Sequence, residues 1–276
     1  MTNPRHYPSS RVNELISSAI TWMNQGYKVA LLTLISVEGN APYPVGTQML
    51  VCEDGEYKGQ ITGGCAENSL VEQALMVIRN GENTVERYGL NSRFFDIKLP
   101  CGSGLDIEFD VETSLEEYVS IADQLANRQS VQASNVKIYR PTPRILLFGQ
   151  GPILTCLIEV ATISGFDVLL FDHQQANDFS SYCDQQTGLV SLFHEHELET
   201  DILAAAVQQP FFYIGALGSR KTHTIRMEKL TELGININQK SKIHGPIGID
   251  INSQTPEQIA ISIIAQVMSV MNNNAD

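Results

Sequence analysis

Residues 144–173 read RILLFGQGPILTCLIEVATISGFDVLLFDH, and few arrangements of a chain accommodate that string. An apolar run, ILLF, gives way to Gly149-Gln150-Gly151. Apolar residues at helical spacing follow, and a second apolar run ends at Asp172. Strand, glycine turn, helix and strand in that order make a βαβ unit, whose strands are parallel and buried on both faces. Glycine at 149 and 151 permits a tight turn and lets the backbone approach a pyrophosphate at the head of the helix. Asp172 closes the second strand about 20 residues on, where a ribose-binding carboxylate belongs. The third small position of such a fingerprint is Leu154, whose bulk should push the helix off the strand or crowd a pyrophosphate. The turn reads either as a nucleotide or phosphate site or as architecture alone.

The segments FFYIGALGS, THTIRMEKLTELG and TPEQIAISIIAQVMSVM continue the alternation of strand and helix, the pattern of a doubly wound parallel sheet. GALGSRKTH (215–223) supplies a second glycine turn. Backbone amides at Gly218, Ser219 and Arg220 can hold an anion there, with Arg220 or Lys221 adding charge. The alternative is a strand-to-helix turn with a solvated basic pair. HGPIGIDI (244–251) offers His244, Gly248 and Asp250 in a loop that either closes over a ligand or packs ahead of the last helix. HEHEL (194–198) puts His194 and His196 on one face if it is a strand, but two ligands without a third make no metal site, so none is expected.

Ahead of YRPTP (139–143), which reads as a linker, the chain changes style. Helices are expected over 9–25, over the face Leu70, Val71, Ala74, Leu75, Ile78 closed by Asn80-Gly81, and over 113–129. A buried strand is expected at 27–36, and a hairpin in TQMLVCEDGEYKGQIT turning at 53–56. Further strands are expected near 84–90, 93–98 and 105–111. In ITGGCAENSL, Cys65 follows Gly63-Gly64 where a helix begins, and LPCGSGLDIEF sets Cys101 among glycines 102 and 104. Position at a helix head favours a thiolate at Cys65, and the glycines can open the Cys101 sulfur to a bulky ligand. A small buried hydrophobe is the competing reading of both. Cys52 and Cys156 read as core residues, and Cys183 carries no motif.

A formal net charge of −13 disfavours a phosphate-backbone ligand, so no nucleic acid partner is expected. No run approaches the ~20 apolar residues that span a bilayer, which leaves no expected membrane role. The first residues lack a signal-peptide pattern, and five cysteines at irregular spacings are no disulfide framework. Reduced thiols in a cytoplasmic protein are the simplest reading.

Together the blocks SVEGNAPYPVGTQMLV, GQITGGCAENSLVEQAL, LPCGSGLDI, RILLFGQGP, FYIGALGSRK and IHGPIGIDINSQTPEQIAISIIAQV resemble the xanthine dehydrogenase accessory (XdhC/CoxI) family over most of the chain. The resemblance implies an N-terminal mixed α/β domain (1–138), the linker 139–143 and a C-terminal Rossmann-like domain (144–276). It implies an accessory protein that binds molybdenum cofactor transiently. Such a protein assists the cofactor's sulfuration with a cysteine desulfurase and passes it to an apo-molybdenum hydroxylase of the xanthine dehydrogenase type. A homodimer is implied too. Carried over by motif, Cys65 and Cys101 are the candidate sulfur or cofactor thiols, and Gly63 and Gly64 are cofactor-binding residues. Gly149, Gly151, Asp172, Gly215, Gly218, Ser219, Arg220, His244, Gly248 and Asp250 are the cofactor-binding residues. Two departures stand out: Ser103 replaces the second glycine of a Cys-Gly-Gly, and the stretch between Asp172 and HEHEL is short, which implies a trimmed strand–helix unit. The competing functions are an NAD(P)-dependent oxidoreductase, with His244 as its proton donor, and a non-catalytic scaffold for a desulfurase or target enzyme.

Overall fold

The computed structural model describes residues 5–7, 14–92, 102–171, 179–193 and 196–273. Strand β1 (Arg5–Tyr7) opens the described chain, and its pairing partner comes far later in the sequence. Residues 13–141 then pack as one unit, while residues 142–276 and the segment holding β1 form the other. The division falls between Pro141 and Thr142.

In the 13–141 unit, α1 (Glu14–Asn24) leads into β2 (Val29–Glu38) and the hairpin β3 (Gln48–Cys52)–β4 (Tyr57–Gly59). Helix α2 (Glu67–Asn80) ends where Gly81 turns left-handed, at φ +75°. β5 (Thr84–Gly89), β6 (Gly104–Asp110), α3 (Leu115–Ala126) and the short pair β7 (Val131–Gln132)–β8 (Ile138–Tyr139) complete it. The strands form one antiparallel sheet, β4-β3-β2-β6-β5. Alternation along β2 sends Val29 and Leu31 to one face and Ala30, Leu32 and Leu34 to the other. The first pair packs with Ile16, Trp22, Tyr118 and Ile121 of α1 and α3. The second set packs with Leu70, Ala74 and Val77 of α2. Both faces of β2 are covered by helices, which explains why its buried first half, Val29 to Leu34, is apolar but for Thr33. Cys52 lies in this core, as expected, and burial pushes its thiol up from the ordinary range.

The other unit contains β9 (Arg144–Gly149), α4 (Pro152–Ile163), β10 (Asp167–Phe171), β11 (Thr187–Leu192), α5 (His196–Ala206), β12 (Tyr213–Ala216), α6 (Arg220–Glu232), α7 (Ile237–Lys240), β13 (Ile243–His244) and α8 (Pro256–Asn273). The five later strands are parallel, and the sheet order is β1-β10-β9-β11-β12-β13. α4 and α8 cover one face through Leu154, Leu157, Ala161, Ile263 and Val267. α5 and α6 cover the other through Ile202, Leu203 and Leu230. This is the doubly wound, Rossmann-like architecture expected from the sequence.

Its departure from the full Rossmann order 3-2-1-4-5-6 lies at one edge. β10, β9, β11, β12 and β13 stand as strands 2-1-4-5-6, and the place of strand 3 is taken by antiparallel β1. Between β10 and β11 the described residues hold only a single 3-10 turn, Ser180–Tyr182, where a strand–helix unit would stand. Arg144 ties this short crossing to the foot of β9: its guanidinium donates to Thr187 Oγ1, Tyr182 O and Asp184 Oδ2. HEHEL corrects the sequence reading, because His196 opens α5 and is not in a strand. The run HELETDILAAA is rich in good helix formers, which outweigh a two-residue alternation. His194 lies outside the described residues.

Candidate functional site

Four chain segments meet at one end of the antiparallel sheet. β2 ends at Glu38 opposite Gly104, where β6 begins, and Gly104 also faces Gly89 at the end of β5. β4 ends at Gly59 opposite Met49, near the start of β3. The chain entering β6 through Gly102 and the chain running from β4 to α2 through Cys65 therefore emerge from the same end. Loop 39–43 has a foot on each: a Cβ at Gly39 would lie 3.5 Å from Ser103 Cα, and one at Gly63 3.7 Å from Pro42 Cβ. The Gln60 amide donates to the Tyr43 hydroxyl on the same loop. Cys101 lies outside the described residues. The space at Gly104, expected to open that cysteine's sulfur, belongs to Arg87, whose Nη2 would stand 2.3 Å from a Cβ there. Arg87 pairs with Asp106 and Glu38 and donates to Leu90 O.

Cys65 is exposed, at the tip of a bulge whose flanks are not: Ile61, Thr62, Ala66 and Glu67 are buried, while Gly63, Gly64 and Cys65 stand out. The cause is Glu67, the first residue of α2 and a residue the sequence reading passed over. Its carboxylate accepts from the amides of Ile61 (3.3 Å), Thr62 (2.7 Å), Gly64 (2.8 Å) and Ala66 (3.3 Å), and from the Thr62 hydroxyl. Burial works against its charge, yet the bonds from Thr62, from its own amide and from Ala66 hold its pKa below the ordinary carboxylate value. The helix head therefore already carries an anion, supplied by the chain itself. Ala66, the N-cap residue, offers no side-chain bond, and Glu67 instead gathers the amides of the segment that leads into the helix. A carboxylate two residues past a Gly-Gly-Cys, at a helix start, was the signal available in the sequence.

In the other unit, the glycine turn after β9 divides its labour. A Cβ at Gly149 (φ +132°) would meet the Leu192 carbonyl carbon at 2.9 Å, so this glycine lets β9 and β11 close up. Gly151 (φ +100°) is N-cap of α4 with open space around it, and its requirement is conformational. Pro152 follows as the first helical residue and brings no N–H to the helix head. Leu154 neither displaces the helix nor stands proud. It is 8% exposed and sits in the core with Leu157, Leu192 and Ile247. Asp172 lies outside the described residues.

The second glycine turn and the HGPIG loop converge on Arg226. Its guanidinium, 2% exposed, donates to both oxygens of buried Glu199 (3.0 and 3.1 Å) and to Leu217 O (2.6 Å). Nη1 stands 3.3 Å from His223 Nδ1, where a donor meets an acceptor if the ring proton is on Nε2. Ser191 on β11 donates to Glu199 from the other side. Gly245 makes room for the His223 ring, since a Cβ there would fall 2.1 Å from Nδ1. Burial and the neighbouring Arg226 charge hold His223 below its usual pKa. Gly218 (φ +143°) turns the chain into α6, and the Ser219 hydroxyl caps that helix by accepting from Thr222 N at 3.1 Å. Arg220 and Asp250 are exposed. Gly215 lies inside β12, buried, with Ile247 where its Cβ would be, so its place is in packing.

His244 stacks on Tyr213 with ring centroids 4.7 Å apart, and burial lowers its pKa. The loop beyond it is fastened to α8: Gln266 Oε1 accepts from Tyr213 OH (2.6 Å) and Gly248 N (2.8 Å), and Ile249 N donates to Ser262 O. Among the described residues no three His, Cys, Asp or Glu side chains are placed to hold a metal ion, and no helix is long and apolar enough to cross a membrane.

Against known proteins, residues 145–267 match the model of the XdhC Rossmann domain, and residues 22–89 match that of the XdhC and CoxI family. The chain is 31% identical to the molybdenum cofactor insertion chaperone PaoD of Escherichia coli, over 93% of this chain and 87% of that protein. It is 23% identical to a probable xanthine dehydrogenase subunit of Bacillus subtilis, over 87% of this chain and 92% of the other. A solved structure described as a xanthine dehydrogenase from Bacillus halodurans superposes with a TM-score of 0.75 at 21% identity. It covers 94% of this chain and 96% of its own.

Proposed function

The chain belongs to the XdhC and CoxI family, and on that premise we propose an accessory protein that binds molybdenum cofactor, assists its sulfuration and delivers it to a xanthine dehydrogenase-type molybdenum hydroxylase. One observation carries the reading: Cys65 is displayed at the tip of a bulge held on a buried carboxylate. The dithiolene-bound metal of such a cargo is soft, and a displayed thiol is a suitable neighbour for it or for the sulfur it is to receive. In the Rossmann-like unit, the turn Gly218–Arg220 suits a phosphate better than Gly149–Gly151. Pro152 withholds an amide at the first turn, whereas Ser219 caps α6 beside a basic pair. The same feature favours a carrier over a dinucleotide-dependent oxidoreductase. The partners are the apo-hydroxylase, a cysteine desulfurase and a second copy of the chain, in the cytoplasm.

The test is pterin analysis of the protein purified from a molybdenum-replete host, wild type beside Cys65→Ala and Cys101→Ala, with activation of an apo-hydroxylase as the second readout. Wild type retains pterin and activates, whereas each variant stays folded and loses one or both. Full pterin content and full activation in both variants would remove the thiol assignment, and nicotinamide hydride transfer would replace the carrier reading.

A further inference from the structure

The five donors gathered on Glu67 set the shape of the whole segment from Ile61 to Ala66. Thr62 is held twice, through its amide and its hydroxyl, and the same hydroxyl oxygen accepts from Ala66 N at 2.9 Å. Gly63 (φ +72°) and Gly64 (φ +98°) lie in the left-handed region, and a Cβ on Gly64 would touch nothing within 4 Å. These glycines are therefore present for backbone direction, since they turn the Gly64 amide inward. Once amides 62, 64 and 66 point at one carboxylate, residue 65 has one way left to face, outward. Pro42 and Tyr43 stand against Gly63 from the far side, so the bulge is braced there as well.

We propose that Glu67 is the positioning residue of Cys65: its carboxylate is the template around which the bulge is wound, and without it the thiol is not held where cargo is met. This rests on the reading of Cys65 as a working thiol. It also moves Gly64 from the cofactor-binding residues to the template, because its amide is already engaged by the chain.

The experiment uses the full chain with Glu67→Gln, which keeps the reach and removes the charge, and reads amide hydrogen exchange by NMR beside hydroxylase activation. Exchange at Gly64 and Ala66 rises about ten- to a hundred-fold, as expected when charge-assisted bonds are lost. Leu70 and Ala74 in α2 keep their protection, a split that general loosening of the helix would not give. Activation falls by about ten-fold or more. Thr62→Val, which keeps the carboxylate and the amides but removes the bridging hydroxyl, gives the same pattern at smaller size and serves if Glu67→Gln does not fold. Unchanged exchange at Gly64 and Ala66 in the folded variants overturns the template, and faster exchange with full activation overturns the positioning role. Should Cys65→Ala activate normally, the reading beneath fails instead, and the exchange data still judge the template by itself.

Discussion

Replacing Glu199 by Leu should be among the most damaging single changes in the 142–276 unit, and replacing Arg226 by Met at the same time should undo most of the harm. Glu199 and Arg226 are each 2% exposed. The single change removes two charge-assisted bonds from Arg226 and the bond from the Ser191 hydroxyl, leaving a buried guanidinium with Leu217 O and His223 as its partners among the described residues. Breaking one partner of a buried pair costs about 3–5 kcal/mol, while exchanging both for apolar side chains of similar volume is often neutral or better. With a urea slope near ~2 kcal/mol per molar for a unit of this size, the single variant loses about 1.5–2.5 M of midpoint. The double variant should return to within about 0.5 M of wild type. Trp22, the chain's single tryptophan, lies in the other unit, so its fluorescence is the wrong probe. Exchange of the Ile214 and Gly215 amides in β12, measured against urea, reports the right one. A shift below ~0.3 M for Glu199→Leu, or a double variant no better than the single, would refute the premise that the pair is desolvated.

Two further outcomes follow from the same geometry. Burial holds the His244 pKa below the ordinary 6.5, so the unfolded chain binds this proton first and stability falls as pH drops below that value. His223 acts in the same direction. His244→Phe keeps the stack on Tyr213 and removes the proton, so the loss of melting temperature between about pH 7.5 and pH 5 should shrink in the variant. An unchanged loss would clear His244 of the effect. Gly149→Ala should cost more than Gly151→Ala in denaturant midpoints. Both pay a backbone penalty of ~1–2 kcal/mol, but only residue 149 adds a clash, with Leu192. Equal costs would mean that β9 and β11 part easily.

What the sequence made legible was local and periodic. The hairpin turning at 53–56, the helix closed by Gly81 and the glycine turn after β9 all announce themselves within a dozen residues, and each is present. Leu154 is bulky for a fingerprint position, but its surroundings, remote in sequence, are core. The sequence reads Gly104 as space beside Cys101, yet that space is required by Arg87, and Gly215 likewise leaves room for Ile247, both neighbours remote in sequence. Glu67 was overlooked because a glutamate in a first helical turn is ordinary. Only the convergence of five donors sets it apart. The segment 93–98 and Cys101, on which the second thiol assignment depends, lie outside the described residues.

Strand β1 gives the chain an unusual order of assembly. Residues 5–7 are made roughly 160 residues ahead of β10, against which they pair, an interval of about 10–30 s at ordinary synthesis rates. The whole 13–141 unit is synthesised in the interval, so it can fold with an unpaired strand trailing from its front. Long closures cost little more than moderate ones in entropy, so the delay is one of time more than of free energy. A chain cut ahead of Thr142 to isolate the second unit lacks β1 and presents at β10 a bare parallel edge of the kind that invites pairing with another chain.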